Sequence, residues 1–320
     1  MVDSTANAVI KGFGAERPKS AVSKGTVDQE ARLHADLDTL CTAVYCTADD
    51  LLPERAGNAR RRVTDAEVVM LCVAQAIMGI PSDRRFLAVA AKRLCHLFPE
   101  LPGQPGFHKR RRRLSDTIEW LVGIFASESP GAEDSVVLLD STPVECGRSR
   151  ETAKRSALGD AAAYGYCRSH SRYFWGMRLH LACAPDGTPR AATLAGADRG
   201  EREVGLTLLE RTLRGGEAVV CDKGYAGAEF ALGVEGMDAR VLRPPRRDEP
   251  ESGVRLSFIR QRIESVFWTC KDVLTLERHG ARTLANLRVR IATRLLTLAA
   301  CVSLNHQLGR PSRSLVAYVA

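Results

Sequence analysis

Two short apolar runs, each closed by an aspartate, constrain this chain more than any other feature. Ser135-Val136-Val137-Leu138-Leu139 leads into Asp140, and Ala218-Val219-Val220-Cys221 leads into Asp222. Short runs rich in β-branched residues mark buried strands, so both acids are expected at strand mouths. A third acid, Glu264, falls inside a helical pattern in which Leu256, Ile259, Ile263, Val266 and Cys270 recur at steps of three and four. On that helix Arg260, Glu264 and Lys271 stand at i, i+4 and i+11, which turns them nearly the same way, roughly 100° round from the apolar stripe. Taken alone, this is also what an exposed ladder of weak helix ion pairs looks like. The two aspartates upstream favour a carboxylate cluster instead. Its hard oxygens suit Mg²⁺ or Mn²⁺, and two such ions can stabilise both the attacking and the leaving oxygen of a phosphodiester.

The pattern Arg260-x3-Glu264-x6-Lys271 follows Asp140 in Leu-Leu-Asp-Ser-Thr-Pro and Asp222 in Cys-Asp-Lys-Gly-Tyr. It resembles the DDE transposases of bacterial insertion sequences, and more narrowly the subgroup with a Tyr-x2-Arg-x3-Glu-x6-Lys signature. Arg260 to Trp268 and the later Leu276-Glu277-Arg278-His279-Gly280 are similar to that group as well, and the likeness spans roughly 136–309. One departure is plain: Ser257 stands where the signature has tyrosine. The resemblance implies a ribonuclease-H-like fold and two Mg²⁺ or Mn²⁺ ions per active site held by Asp140, Asp222 and Glu264. It also implies that Arg260 and Lys271 grip phosphates of double-stranded DNA, at terminal inverted repeats and at the target. A homodimer in a synaptic complex is expected, because two DNA ends are handled together. Chemistry agrees with these roles, since a guanidinium meets a phosphate with two prongs and an ammonium acts as a point charge. Two other classes fit part of the pattern: a non-catalytic DNA-binding regulator derived from a transposase, and a ribonuclease-H-like nuclease or resolvase.

Charge is distributed in keeping with a polyanionic partner. Between Val254 and Arg310 ten Arg or Lys face three acids, an excess of seven in a chain whose net charge is +8. The ten cysteines form no C-x2-C pair, and Cys72, Cys183, Cys221 and Cys301 lie in apolar runs, so a reducing cytoplasm is expected. Cys167 and His170 could be half a zinc site, but no second half has suitable spacing. Met1 to Thr5 lacks the features of a signal peptide, and Leu295 to Leu304 is too short to span a bilayer. No membrane association is expected.

The fold class read from these patterns is α/β (α+β), a ribonuclease-H-like mixed sheet with flanking helices preceded by an all-helical N-terminal domain. Residues 1–25 read as a flexible segment, 26–130 as the helical, DNA-binding domain, 131–310 as the catalytic domain and 311–320 as a tail. Thr26-x-x-Gln29 and Thr64-x-x-Glu67 are capping boxes, the first opening a helix to about Tyr45. Gly79 breaks the second helix, and Ser82 caps a third that carries Arg84, Arg85, Lys92 and Arg93. This could be a helix-turn-helix or an ordinary helical subdomain with a solvated basic face. Lys109, Arg110, Arg111, Arg112 and Arg113 head a pattern running through Ile118, Leu121 and Phe125, and are expected to touch phosphates, as are Arg148 and Arg262. The basic stretch between Asp140 and Tyr173 could guide a strand to the acids. Tyr164, Tyr166, Tyr173, Phe174 and Trp175 could stack bases or fill the core.

Overall fold

In the computed structural model, residues 36–53, 62–167, 171–245 and 256–319 are described. The first capping box lies outside them, and the helix it was expected to open is described as α1, Leu37–Leu51, with Asp36 as its cap. Next come α2 (Asp65–Ile77), α3 (Asp83–Arg93), α4 (Gln104–Arg113) and α5 (Ser115–Ser127). Thr64 and Glu67 form the reciprocal box at the start of α2, and the Ser82 hydroxyl accepts from the Arg85 amide at the start of α3. Gly79 makes the break between them at φ +63, where a residue without Cβ is unstrained.

The sheet begins with β1 (Val136–Gly147), followed by α6 (Arg150–Arg155), β2 (Ala163–Cys167), β3 (Arg172–Cys183) and β4 (Pro189–Gly196). Then come α7 (Glu201–Leu209), β5 (Ala218–Val220), α8 (Ala228–Glu235) and β6 (Arg240–Leu242). Two long helices close the chain, α9 (Ser257–Asp272) and α10 (Leu284–Gln307). Neighbours across the sheet run β4-β3-β1-β5-β6, with β2 pairing the outer half of β3. Antiparallel pairing joins β1, β3 and β4, while β1, β5 and β6 are parallel. This is a ribonuclease-H-like mixed sheet with flanking helices, behind a helical N-terminal part.

β1 is longer than its apolar run suggested. It continues past Asp140 to Gly147 along β3, while its pairing with β5 stops at Leu138 opposite Val220. Pro143 is accepted there because the β5 side of β1 is already unpaired, so its missing N–H breaks no ladder. Further along, Gly176 of β3 lies opposite Glu145, and a Cβ on it would run into the Val144 carbonyl oxygen. Gly176→Ala is therefore expected to destabilise the fold by about 1–3 kcal/mol, read from the urea midpoint; an unchanged midpoint contradicts this packing.

Alternation along β1 feeds two cores. Val136 and Leu138 join Ile259, Ile263 and Val266 of α9, whereas Val137 and Leu139 meet Leu208, Tyr225 and Phe230 on the other face. The main core is continuous with α1 to α5 and α10, so one apolar cluster runs across residue 130. Of the stretch 311–320, expected as a tail, the described residues 311–319 fold back: Tyr318 is buried and its hydroxyl donates to Asn305 Oδ1 at 2.9 Å. No described helix is long and apolar enough to cross a membrane.

His180 sits in the middle of β3 with no exposure, and among the described residues neither ring nitrogen has a hydrogen-bond partner. Burial, then Arg178, pulls it down to about 4. Between the unfolded value near 6.5 and that value, the unfolded chain takes up a proton the folded chain refuses, so stability falls as pH falls. The loss is on the order of 3 kcal/mol. Measured as the difference between wild type and His180→Leu, urea melts from pH 7 to 4 should show this slope; parallel slopes would refute the assignment.

Candidate active site

The same alternation that sorts β1 between its cores aims Asp140 at α9 and Ser141 at α7. Asp222 follows β5 by two residues and caps a short 3-10 turn, Lys223–Tyr225, taking the Gly224 amide at 2.5 Å. Both aspartates thus stand in the notch where β5 has ended and β1 runs on. Across it lies α9, whose Ile259, Ile263 and Val266 are packed under the sheet and whose Arg260 and Glu264 face the notch. Asp140, Asp222, Arg260 and Glu264 line one narrow pocket. A wider cleft of about 910 Å³ continues from it, and its walls add Lys271, Glu201, Arg178, Tyr166 and Trp268.

Burial, and then the neighbouring Asp222 and Glu201 carboxylates, push Asp140 up to about 7, against the Ser141 amide at 2.8 Å and Arg260, which favour its charged form. Asp140 is therefore an acid short of positive charge, in a pocket with a second and a third. Arg260 Nη2 lies 3.9 Å from Glu264 Oε1, and Lys271 reaches Glu277 at 3.4 Å. Among the described residues, no three or more His, Cys, Asp or Glu side chains are grouped so that they could hold a metal ion. The donors nonetheless suit a divalent cation: they are oxygens, they line one pocket, and carboxylates there outnumber Arg260, the one cation among the described residues lining it.

Glu201 and Arg178 were not foreseen. Glu201, in the first turn of α7, accepts from Ser141 Oγ and from Arg178 Nη1, both at 2.8 Å, and Arg178 Nη2 donates to the Tyr166 carbonyl at 2.7 Å. Gly205 allows this approach, because a Cβ there would meet Tyr225 and Leu139. The available signal was Arg178 itself, a charge within an otherwise apolar strand.

Several expected DNA contacts are placed elsewhere. Lys109 to Arg113 form the end of α4, not the head of the helix through Ile118 and Phe125, which is the separate α5. Arg111 is a correction: it is 1% exposed and holds Asp83 with two hydrogen bonds of 2.9 and 3.0 Å. Arg110 is largely buried too, spanning the Val63 carbonyl and Asp65. Both are drawn inward because α2 and α3 carry acids facing α4. Lys109 and Arg148 are exposed, outside the cleft lining. Arg262 points away from Glu264 and stacks on Phe258 at 4.9 Å, since a step of two on a helix turns a side chain by about 200°. Tyr164, Tyr166 and Tyr173 are exposed, whereas Phe174 and Trp175 are core. Cys167 is buried, and His170 lies outside the described residues.

Residues 131–300 match the family described as Transposase DDE domain. The chain belongs to that family. It is thereby a DNA transposase, and the matched stretch contains all six sheet strands together with Asp140, Asp222 and Glu264. Among solved structures, the transposase is similar to the cryo-EM structure of the piggyBac transposase synaptic complex with hairpin DNA. The TM-score is 0.41 at 12% identity, covering 90% of this chain and 79% of that one. No curated protein sequence is significantly similar to this transposase.

Proposed function

We propose that Asp140, Asp222 and Glu264 are the catalytic acids of this transposase and hold its divalent cations, Mg²⁺ or Mn²⁺, two per active site. The observation that carries the reading is their joint lining of one pocket in which carboxylates outnumber Arg260, the one cation among its described residues. Cations bound there would polarise phosphate oxygens and acidify the attacking water. The chain's own part is to place the phosphodiester. Arg260, which lines the pocket beside Glu264, and Lys271, further along the same face of α9, would take phosphate oxygens. Glu201 acts through Ser141 and Arg178, fixing the floor of the cleft beside Asp140.

In the proposed reaction, water breaks a phosphodiester at a transposon end and leaves a 3′-hydroxyl. That hydroxyl attacks a target phosphodiester and displaces its 3′-oxygen, joining the strands. The DNA would be the terminal inverted repeats and the target duplex, handled by a homodimer. Residues 131–310 would carry the chemistry, with 26–130 as a helical, DNA-binding part. The motif spacing, with Ser257 in the tyrosine position, favours a bacterial insertion sequence of the Tyr-Arg-Glu-Lys subgroup, acting in the cytoplasm at the nucleoid. Incubating the protein with the DNA flanking its coding region and Mg²⁺ tests the reading. Nicked ends and joined products are expected; cleavage without joining would indicate a nuclease, and binding without cleavage a regulator. Arg260→Ala should lower the slope of log affinity against log salt by about one, and an unchanged slope would remove Arg260 from the phosphate contact.

A further inference from the structure

A second cavity lies away from the acids, between α2, α4, α10 and the turn that follows α9. Its lining includes Gln75, Arg111, Thr275, Arg290, Thr293 and Arg294, and no carboxylate. The three arginines are each at least nine-tenths buried. One acid serves them: Asp83 binds Arg111 in two prongs and Arg290 Nη2 at 2.9 Å, and its other neighbours are Gln75 and His108. Arg294 pairs with no carboxylate among the described residues. It donates to the carbonyls of Arg290 and Thr275 and to the Thr275 hydroxyl.

Three guanidiniums against one carboxylate leave positive charge in excess in the interior, where each uncompensated ion is costly. Burial, then Arg290, pulls Arg294 down to about 9, with Arg111 acting in the same sense. Two donors are also left over. The Nε–H groups of Arg111 and Arg294 are buried and have no partner among the described residues. Both arginines line the cavity, and its free space holds a single water-sized body. A polyatomic oxyanion is too large for it. A monatomic anion supplies one of the two missing negative charges together with an acceptor.

We propose that this cavity binds one chloride ion, which halves the excess positive charge of the Arg111, Arg290 and Arg294 cluster and ties α2 and α4 to α10. The bound ion would also steady Thr275, whose φ of +54 is unusual for a residue with a Cβ. That turn leads into Glu277, the partner of Lys271, so the site braces the far end of the catalytic helix.

Crystals of the full chain grown with sodium bromide in place of chloride provide the first test. An anomalous bromide peak within hydrogen-bonding reach of Nε of Arg111 and Arg294 is expected. Water-like density with no anomalous signal would overturn the proposal. Thermal melts at constant ionic strength, exchanging sodium gluconate for chloride, provide the second. The full chain should gain about 2–4 °C in Tm per tenfold chloride above the dissociation constant, and Arg294→Met should lose that dependence. A bromide peak with no chloride effect on Tm would mean an adventitious ion only and would also overturn it, as would a full chloride effect in Arg294→Met. If that variant does not fold, the wild-type peak and melts decide the matter alone.

Discussion

Asp140→Asn is expected to abolish Mg²⁺-dependent cutting of the transposon ends, by about a thousandfold or more, while end binding and the melting temperature change little. The size follows from the several kcal/mol of transition-state stabilisation that a metal site supplies, at tenfold in rate per 1.36 kcal/mol. The specificity follows from position. Asp140 shares the pocket with Asp222 and Glu264, and its carboxylate contributes nothing to the apolar packing of β1. Stability should if anything rise slightly, since the neutral amide removes the buried charge and then the carboxylate crowding that together lift Asp140 to about 7. A gel assay on labelled ends, run beside a mobility-shift assay, separates the two effects. Equal loss of cutting and of binding would place Asp140 in the scaffold.

The largest effect on stability should come from a buried acid of the helical part. Asp83, which caps no helix itself but opens α3, is the counter-charge for Arg111 and Arg290 and takes a further bond from the Gln75 amide. Those arginines hold its carboxyl well below the usual range, against a desolvation penalty that acts the other way. Asp83→Ala would leave three buried guanidiniums facing one another, a loss of about 3–5 kcal/mol, seen as a lower urea midpoint. Because the folded value is depressed, the wild-type contribution is present above the unfolded value near 3.9 and is lost as pH falls through the folded one. That window lies below the one set by His180, so the difference between wild type and Asp83→Ala should change at lower pH than the difference between wild type and His180→Leu. A variant as stable as wild type would dismiss the cluster as an anchor.

Much of the sheet was legible in the sequence because its signals are local. An apolar run that stops at an acid marked a strand end at Asp222 but not at Asp140, which stands inside β1, and a three-and-four spacing marks the buried face of α9, which fixes where Arg260, Glu264 and Lys271 point. What stayed hidden depends on pairing at a distance. Nothing in residues 140–147 says that β5 ends while β1 continues, yet that offset opens the notch. Glu201 reads as an ordinary first-turn acid until β1 and α7 are brought together. The basic run misled for a related reason: five consecutive cations look like one surface, but a helix turns each by about 100°, so Arg111 faces inward to Asp83 while Lys109, Arg112 and Arg113 face solvent.

The measurement that bears most directly on the three-acid site is Mn²⁺ binding to the full chain, followed by electron paramagnetic resonance, with wild type compared to Asp140→Asn, Asp222→Asn and Glu264→Gln. Each single substitution should weaken binding at least about tenfold, while Arg262→Ala, facing away from the cleft, should bind as wild type does. Wild-type affinity in Glu264→Gln would detach α9 from the site and contradict the account.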